Sequence, residues 1–288
     1  MTIQTSGWGL YRLRQSLART AGDLAQLPGV RSIGAPLYRS YFKRPCRRGN
    51  LYYGIFESYD EALAQAEQLA STQLPASYDV EEAAHKYRDQ LESLRACDYP
   101  SLYWIRHILE AGGRKIFDLG GHLGLAYYGY GQYLSYPEDL RWQVHDLPQV
   151  MAAGRALASE RDRSNALQFA ESPLDADGAD VLISTGALQY LSYRLPTLIQ
   201  RLRKRPRHVI FNLTPLHESK SFFTLQNLGI AICPYRVEHA STLLDDMRSL
   251  GYKLRDRWAL GERRMRIPFA AACNVDHYHG CYLELASP

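Results

Sequence analysis

The stretch Lys115-Ile116-Phe117-Asp118-Leu119-Gly120-Gly121-His122-Leu123-Gly124 constrains this chain more than any other. Its apolar residues read as a short buried strand ending at Asp118, its glycines as a tight turn, and Leu125 onward as the start of a helix. Gly120 and Gly121 can adopt positive φ there, and they lack the Cβ that would hold a ligand away from the main chain. In an open α/β sheet such a corner lies at the carboxyl ends of the strands, the side on which cofactors bind.

A second acidic residue stands where a nucleotide-binding βαβ unit needs one. In such units a carboxylate at the tip of the next strand accepts hydrogen bonds from ribose hydroxyls, roughly 20 residues beyond the corner. Trp142-Gln143-Val144-His145-Asp146 supplies that tip, with Asp146 about 26 residues after Gly120, and Leu147-Pro148-Gln149 starts the next helix. The glycine spacing differs from the dinucleotide fingerprint Gly-x-Gly-x-x-Gly. From Lys115 the alternation is regular, with strands expected near Lys115 to Leu119, Trp142 to Asp146, Leu167 to Phe169, Ala179 to Ser184 and His208 to Asn212. A helix over Ala240 to Leu250, stopped by Gly251, precedes the apolar and aromatic segments Tyr252 to Trp258, Pro268 to Cys273 and Gly280 to Leu285. That ending suits an antiparallel strand pair completing the sheet.

Residues before about 112 show no βα alternation. Leu10 to Leu24 has helical spacing, and Gly29 to Asn50 reads as a basic connection. Ser58 with Glu61 has capping-box spacing, Asp79 with Glu82 suggests a second N-cap before Ala83 to Leu94, and Pro100 suits the first turn of a helix running to about Leu109. The expected division is a helical cap over residues 1–112, closing over the ligand, and an α/β domain over 113–288.

The 46% hydrophobic content is ample for a core, and the formal charge of +4 is too small to imply nucleic-acid binding. The run Arg201-Leu202-Arg203-Lys204-Arg205-Pro206-Arg207 reads as a solvated helix end, where basic side chains face the negative end of the dipole. Cys46, Cys97, Cys233, Cys273 and Cys281 form an odd set without a Cys-x-x-Cys pair, so neither a disulfide framework nor a zinc-cysteine site is expected. Arg12 and Arg14 interrupt the N-terminus where a secretory segment needs an apolar run, and no stretch approaches 18 apolar residues. A cytoplasmic protein with no membrane or nucleic-acid partner is expected.

Three further stretches join the corner: Ala179-Asp180-Val181-Leu182-Ile183-Ser184-Thr185-Gly186-Ala187-Leu188-Gln189-Tyr190-Leu191, then Phe211-Asn212-Leu213-Thr214-Pro215, and upstream Tyr53-Gly54-Ile55-Phe56 with Tyr59-Asp60-Glu61-Ala62. With the acidic-x-Gly-x-x-x-Gly arrangement of Asp118, Gly120 and Gly124, the chain resembles the class I S-adenosylmethionine (SAM)-dependent methyltransferases from about Tyr52 onward. Within them it resembles a bacterial family associated with surface-glycan or secondary-metabolite gene clusters. The resemblance implies a Rossmann-like seven-stranded α/β sheet with helices on both faces, and SAM as cofactor. It places Asp118, Gly120, Gly121 and Gly124 along the methionine and ribose side of SAM and Asp146 on the ribose. Phe169, Ala170 and Glu171 would flank the adenine, and Ser184, Thr185 and the following Gly186 and Ala187 would face the methionyl end. His122 stands where such motifs more often carry a small residue.

SAM is a sulfonium, which aromatic faces attract by ~0.5–2 kcal/mol. The chain has 21 tyrosines. Tyr127, Tyr130 and Tyr133 share one side of the helix after the corner, Tyr128 is rotated away, and Tyr52, Tyr53 and Phe56 fall in the cap. The candidate catalytic residues are Tyr130 and Tyr190 as sulfonium contacts, His217 (with Glu218, and His239 next) as a base near neutral pH, and Asn212 on the loop after the fifth strand. His277 and His279 share one side of an extended segment, but a metal site needs further ligands that the sequence does not identify, so no metal is expected. Three readings follow. One is methyl transfer from SAM to an O or N of a small molecule. The second is cyclisation of SAM itself, its α-amino group displacing methylthioadenosine from its own γ-carbon to close azetidine-2-carboxylate; azetidine-2-carboxylate synthases of methyltransferase ancestry resemble this chain in fold class. The third is a SAM-binding module without turnover.

Overall fold

The computed structural model describes residues 28–45, 50–80, 82–83, 88–162 and 164–286. In chain order these form helix α1 (Pro28–Phe42), strand β1 (Leu51–Phe56), α2 (Tyr59–Leu69), α3 (Tyr99–Glu110), β2 (Lys115–Leu119), α4 (Leu125–Gly131), β3 (Arg141–His145), α5 (Pro148–Arg161), β4 (Leu167–Phe169), β5 (Val181–Thr185) and α6 (Leu195–Arg201). There follow β6 (His208–Thr214), β7 (Leu216–His217), β8 (Phe222–Asn227), β9 (Ile232–His239), α7 (Ala240–Ser249), β10 (Tyr252–Leu260) and β11 (Tyr278–Leu285).

Seven strands make one sheet in the order β10-β11-β6-β5-β2-β3-β4. The central pairs are parallel, and β11 runs antiparallel between β6 and β10. This is the Rossmann-like α/β sheet the sequence implies, closed at one side by the expected antiparallel pair. Burial explains why its middle was legible. Four of five residues in β2 are buried and β5 is buried through Ser184, because helices cover both faces and each strand must be apolar throughout. The segment Pro268 to Cys273 is not a strand and holds only the turn Ala271–Cys273.

The region before β2 departs from the helical cap expected there. Residues read as a basic connection form α1 instead, with Pro36 inside it. Leu51–Phe56 is a strand that pairs antiparallel with β8, and β1-β8-β9-β7 form a second, four-stranded sheet. Three of its strands come from an insertion between β6 and α7 that the sequence reading left without structure. Tyr52, Phe222, Tyr235 and Val237 of this sheet share one core with Leu213, Leu260 and Tyr278. Leu213 and Leu260 end parallel strands and Tyr278 starts the antiparallel one, so the second sheet covers the carboxyl-end side of the first.

Local signals account for the helices. Ser58 caps α2, its Oγ accepting the Glu61 N–H at 3.1 Å, and Glu61 reaches back to the Glu57 N–H at 2.9 Å. Pro100 occupies the first turn of α3. Asp79 accepts the Gln149 N–H at 3.0 Å, and so caps α5 from a distance. The described part of the helix expected over 83–94 holds a turn at Arg88–Gln90. Leu10 to Leu24, Cys46 and Arg47-Arg48 lie outside the described residues. Arg201, Arg203, Lys204 and Arg207 are exposed at and beyond the end of α6, as a solvated helix end requires. No helix among the described residues is long and apolar enough to cross a membrane.

Candidate active site

The glycine corner is where the sequence placed it, between β2 and α4. Gly120 has φ +74° and donates its N–H to the His145 carbonyl at 2.7 Å, which ties the turn to the end of β3. A Cβ on Gly120 would lie 2.0 Å from the Ala187 Cβ, and one on Gly121 would lie 2.4 Å from the Asp118 carboxyl. The turn after β2 therefore packs directly on the turn after β5, and both glycines are required by the protein's own contacts. Gly124, at φ +90°, precedes α4 and packs on Leu167.

His122 is held in the left-handed region at φ +57°, which costs a non-glycine residue about 1–2 kcal/mol. Asp146 offsets that strain. Its Oδ2 accepts the His122 N–H at 2.8 Å and its Oδ1 accepts the Leu147 N–H at 2.7 Å, charge-assisted bonds of about 1.5–3 kcal/mol each. The His122 ring is buried, with Nε2 2.9 Å from the Ala83 carbonyl. Asp146 itself is half-buried, and each carboxylate oxygen retains a second lone pair.

Asp118 and Ser184 hold the corner from beneath. Both are fully buried; Ser184 Oγ donates to the Leu119 carbonyl at 2.8 Å, and Asp118 Oδ2 accepts the Trp142 Nε1–H at 3.1 Å while Oδ1 has no partner. Burial pushes the Asp118 carboxyl up to about 7; the Trp142 hydrogen bond works against this and the nearby Asp146 charge adds to it. The residues that reach the surface here include Gly120, Asp146, Phe169, Thr185, Gly186 and Ala187. The Arg155 guanidinium lies 5.9 Å from the Phe169 ring centre and pairs with Glu171. Ala170 is buried, its N–H bonded to the Val144 carbonyl at 2.8 Å.

Of the four candidate catalytic side chains, Tyr190, Asn212 and His217 adjoin the core shared by the two sheets, and Tyr130 stands in a different one. Tyr130 packs beneath Trp142, 6.2 Å between ring centres, in the core on one face of the sheet, while Tyr133 is exposed. Asn212 is buried, with Nδ2 donating to the Cys97 carbonyl at 2.8 Å and Oδ1 accepting the Trp258 Nε1–H at 3.0 Å. His217 Nδ1 accepts the Ser219 N–H at 3.1 Å and Nε2 lies 3.2 Å from the Ala272 carbonyl, so both ring nitrogens are engaged. Tyr190 follows β5, and its hydroxyl donates to Gln226 Oε1 at 2.5 Å.

Tyr190 leads into a hydroxyl network that sequence reasoning missed. Gln226 Nε2 donates to the Tyr52 hydroxyl at 3.1 Å, Tyr52 and Tyr278 share a bond at 3.0 Å, and Tyr278 and Tyr235 another at 2.8 Å. The Tyr190 and Tyr235 rings meet edge to face at 5.2 Å. Burial pushes the phenols of Tyr52, Tyr235 and Tyr278 upward, so they are neutral at physiological pH. Tyr52 was visible as part of an aromatic cluster, but its partners lie more than 170 residues away.

No protein-family model and no curated protein matches the chain. Among solved structures it is similar to the 1,6-didemethyltoxoflavin-N1-methyltransferase of Burkholderia thailandensis, solved with S-adenosylhomocysteine, at 17% identity and a TM-score of 0.44 over 72% of this chain and 85% of that one. It is also similar to the magnesium protoporphyrin IX methyltransferase of Synechocystis PCC 6803, solved with the same product, at 11% identity and a TM-score of 0.47 over 73% and 97%.

Proposed function

We propose that this chain binds SAM at the corner between β2 and α4 and transfers its methyl group to an O or N of a small molecule, in secondary-metabolite or glycan biosynthesis. The observation that carries the reading is Asp146: a half-buried carboxylate at the tip of β3, fixed to the corner by the His122 and Leu147 N–H groups, with acceptor capacity left on both oxygens. A ribose presents two hydroxyls to such a group. The residues fit the nucleoside half of SAM. Asp146 would take the ribose, Phe169 and the buried Ala170 would flank the adenine, and the turn at Thr185, Gly186 and Ala187 would border the methionyl end. Asp118 and Ser184, both buried, would act through the shape of the corner instead of touching the ligand.

Bound SAM supplies an electrophilic methyl group on a cationic sulfur. This chain's contribution is then binding, orientation and exclusion of water by the second sheet, effects that can lower a barrier substantially without a proton-transfer group. Tyr190, on the turn after β5, is the aromatic closest in sequence to the proposed methionyl end and presents a hydroxyl already oriented by Gln226.

One observation favours SAM cyclisation as a second reading. The second sheet carries the neutral tyrosines Tyr52 and Tyr235 toward the ends of β5 and β6, and His217, the first candidate base, is engaged at both nitrogens. Purified protein incubated with SAM and no acceptor separates the readings by mass spectrometry. Methyl transfer requires that no methylthioadenosine form, and that S-adenosylhomocysteine form only once an acceptor is added. Enzyme-dependent methylthioadenosine in the first incubation overturns it in favour of cyclisation. SAM binding by calorimetry, with neither product under any acceptor, points to a binding module.

A further inference from the structure

Glu218, His277 and His279 converge outside the corner, their ligand atoms all within 4.8 Å of one another. Glu218 follows β7 in the second sheet, whereas His277 precedes β11 and His279 lies within it, opposite Thr214 at the end of β6. Sequence spacing alone puts both histidines on one side of an extended segment. The missing third ligand comes from the bend after β7, about 60 residues earlier in the chain, which only the fold could reveal.

The donor groups are available. Neither the His277 ring nor the Glu218 carboxylate makes a hydrogen bond among the described residues, while the two nearby histidines are engaged: His217 as described, and His239 with Nδ1 3.0 Å from Thr242 Oγ1 and Nε2 3.0 Å from the Glu218 carbonyl. The His277 and His279 rings are 4.8 Å apart and inclined at 68°, so their edges can address one point instead of stacking. His279 is buried beside the half-buried His277, while Glu218 is exposed at the rim of the cluster. The Arg257 guanidinium rests against the His279 ring, its nitrogens 3.4 Å from Nδ1 and 3.3 Å from Nε2. Arg257 is exposed, so a cation lies where it can be displaced into solvent.

We propose that Glu218, His277 and His279 bind one divalent transition-metal ion of the zinc class, which ties the second sheet to the start of β11. Two imidazoles and a carboxylate are a donor set for such ions, not for magnesium or calcium, which take oxygen ligands. Metal–ligand distances of about 2.0–2.2 Å require the three side chains to close by roughly 1 Å, within the reach of side-chain rotation. Three protein ligands leave a fourth position for water. Nothing in this proposal depends on SAM binding.

The test uses the full chain, treated with chelator, desalted and titrated with zinc chloride by calorimetry, with bound metal counted by plasma mass spectrometry after dialysis. One zinc per chain is expected, undiminished by tenfold excess magnesium, with a zinc-dependent rise in melting temperature. Glu218→Gln, at an exposed position that leaves the fold intact, and His277→Ala should each weaken zinc at least tenfold, His239→Ala should leave it unchanged, and Arg257→Ala should tighten it. Absence of stoichiometric zinc in the wild-type chain, or zinc affinity unchanged in Glu218→Gln and His277→Ala, overturns the assignment.

Discussion

Replacing Asp118 by Asn should stabilise this protein at pH 8, and by roughly 2–3 kcal/mol less at pH 5. Asp118 is fully buried with, among the described residues, a single hydrogen-bond partner, Trp142 Nε1–H, and its carboxyl is pushed up to about 7 from an ordinary value of 3.8. In the unfolded chain the proton leaves near pH 4; in the folded protein it is held until about pH 7. Between those limits the folded state binds more protons than the unfolded state, so this group's contribution to stability falls as pH rises through the window. The gap integrates to about 4 kcal/mol at most, the free-energy cost of an ionised carboxylate in that pocket at pH 8. Asn keeps the acceptor for Trp142 and cannot ionise. Urea unfolding of both proteins at pH 5, 6, 7 and 8, without added ligand, measures the difference directly, since groups titrating elsewhere cancel. A positive difference growing through the window toward pH 8 is expected, with a midpoint rise of about 2–4 °C per kcal/mol in thermal melts. Asp118→Asn that is destabilising at pH 8, or a difference flat across pH, would refute the reasoning.

The same geometry yields three further expectations. Asp146→Ala should weaken SAM roughly ten- to hundredfold by calorimetry, the loss of one charge-assisted bond of about 1.5–3 kcal/mol, and unchanged affinity removes Asp146 from the site. Gly120→Ala should cost about 2–5 kcal/mol, from the 2.0 Å contact with Ala187 and the positive φ; adding Ala187→Gly should return the steric part, and no rescue would disprove the contact as the cause. Tyr52→Phe strands the buried Gln226 amide and should cost about 1–3 kcal/mol in denaturant unfolding, whereas a loss under ~0.5 kcal/mol would show the network to be dispensable.

What could be read from the sequence follows from how each segment is buried. The central strands β2, β5 and β6 are near-continuous apolar or buried runs, β3 and β4 nearer the edge alternate, and the glycine corner with Asp146 marks the carboxyl ends. The strands β8 and β9 are as buried, yet they carry Thr224, Gln226, Asn227, Arg236 and Glu238 inside. Neither alternation nor an apolar run survives such a pattern. Those polar groups find distant partners: Asn227 donates to the Phe42 carbonyl at 2.6 Å, and Arg236 Nη2 reaches the Leu191 and Ser192 carbonyls at 3.0 Å. A single sequence does not display those pairings. The candidate catalytic set fared worse for a related reason. Asn212 and Tyr130 occupy suggestive positions along the chain, but the fold uses the first as a hydrogen-bonded tie and the second as packing under Trp142.

The second sheet also sets an order of events during synthesis. Its first strand, Leu51–Phe56, leaves the ribosome long before β8, its partner from residue 222 onward; at 5–20 residues per second that interval is roughly 10–30 s. Until then Leu-Tyr-Tyr-Gly-Ile-Phe is an uncharged, β-prone hexapeptide without a neighbour, the composition that invites pairing with other chains. The wall that encloses the proposed active site is thus completed only after the whole of β2 to β6 has emerged, and the nascent chain is most exposed to aggregation at the strand it makes first. Protease treatment of chains arrested before and after β8 emerges should cut the Leu51–Phe56 segment in the shorter chain and spare it in the longer.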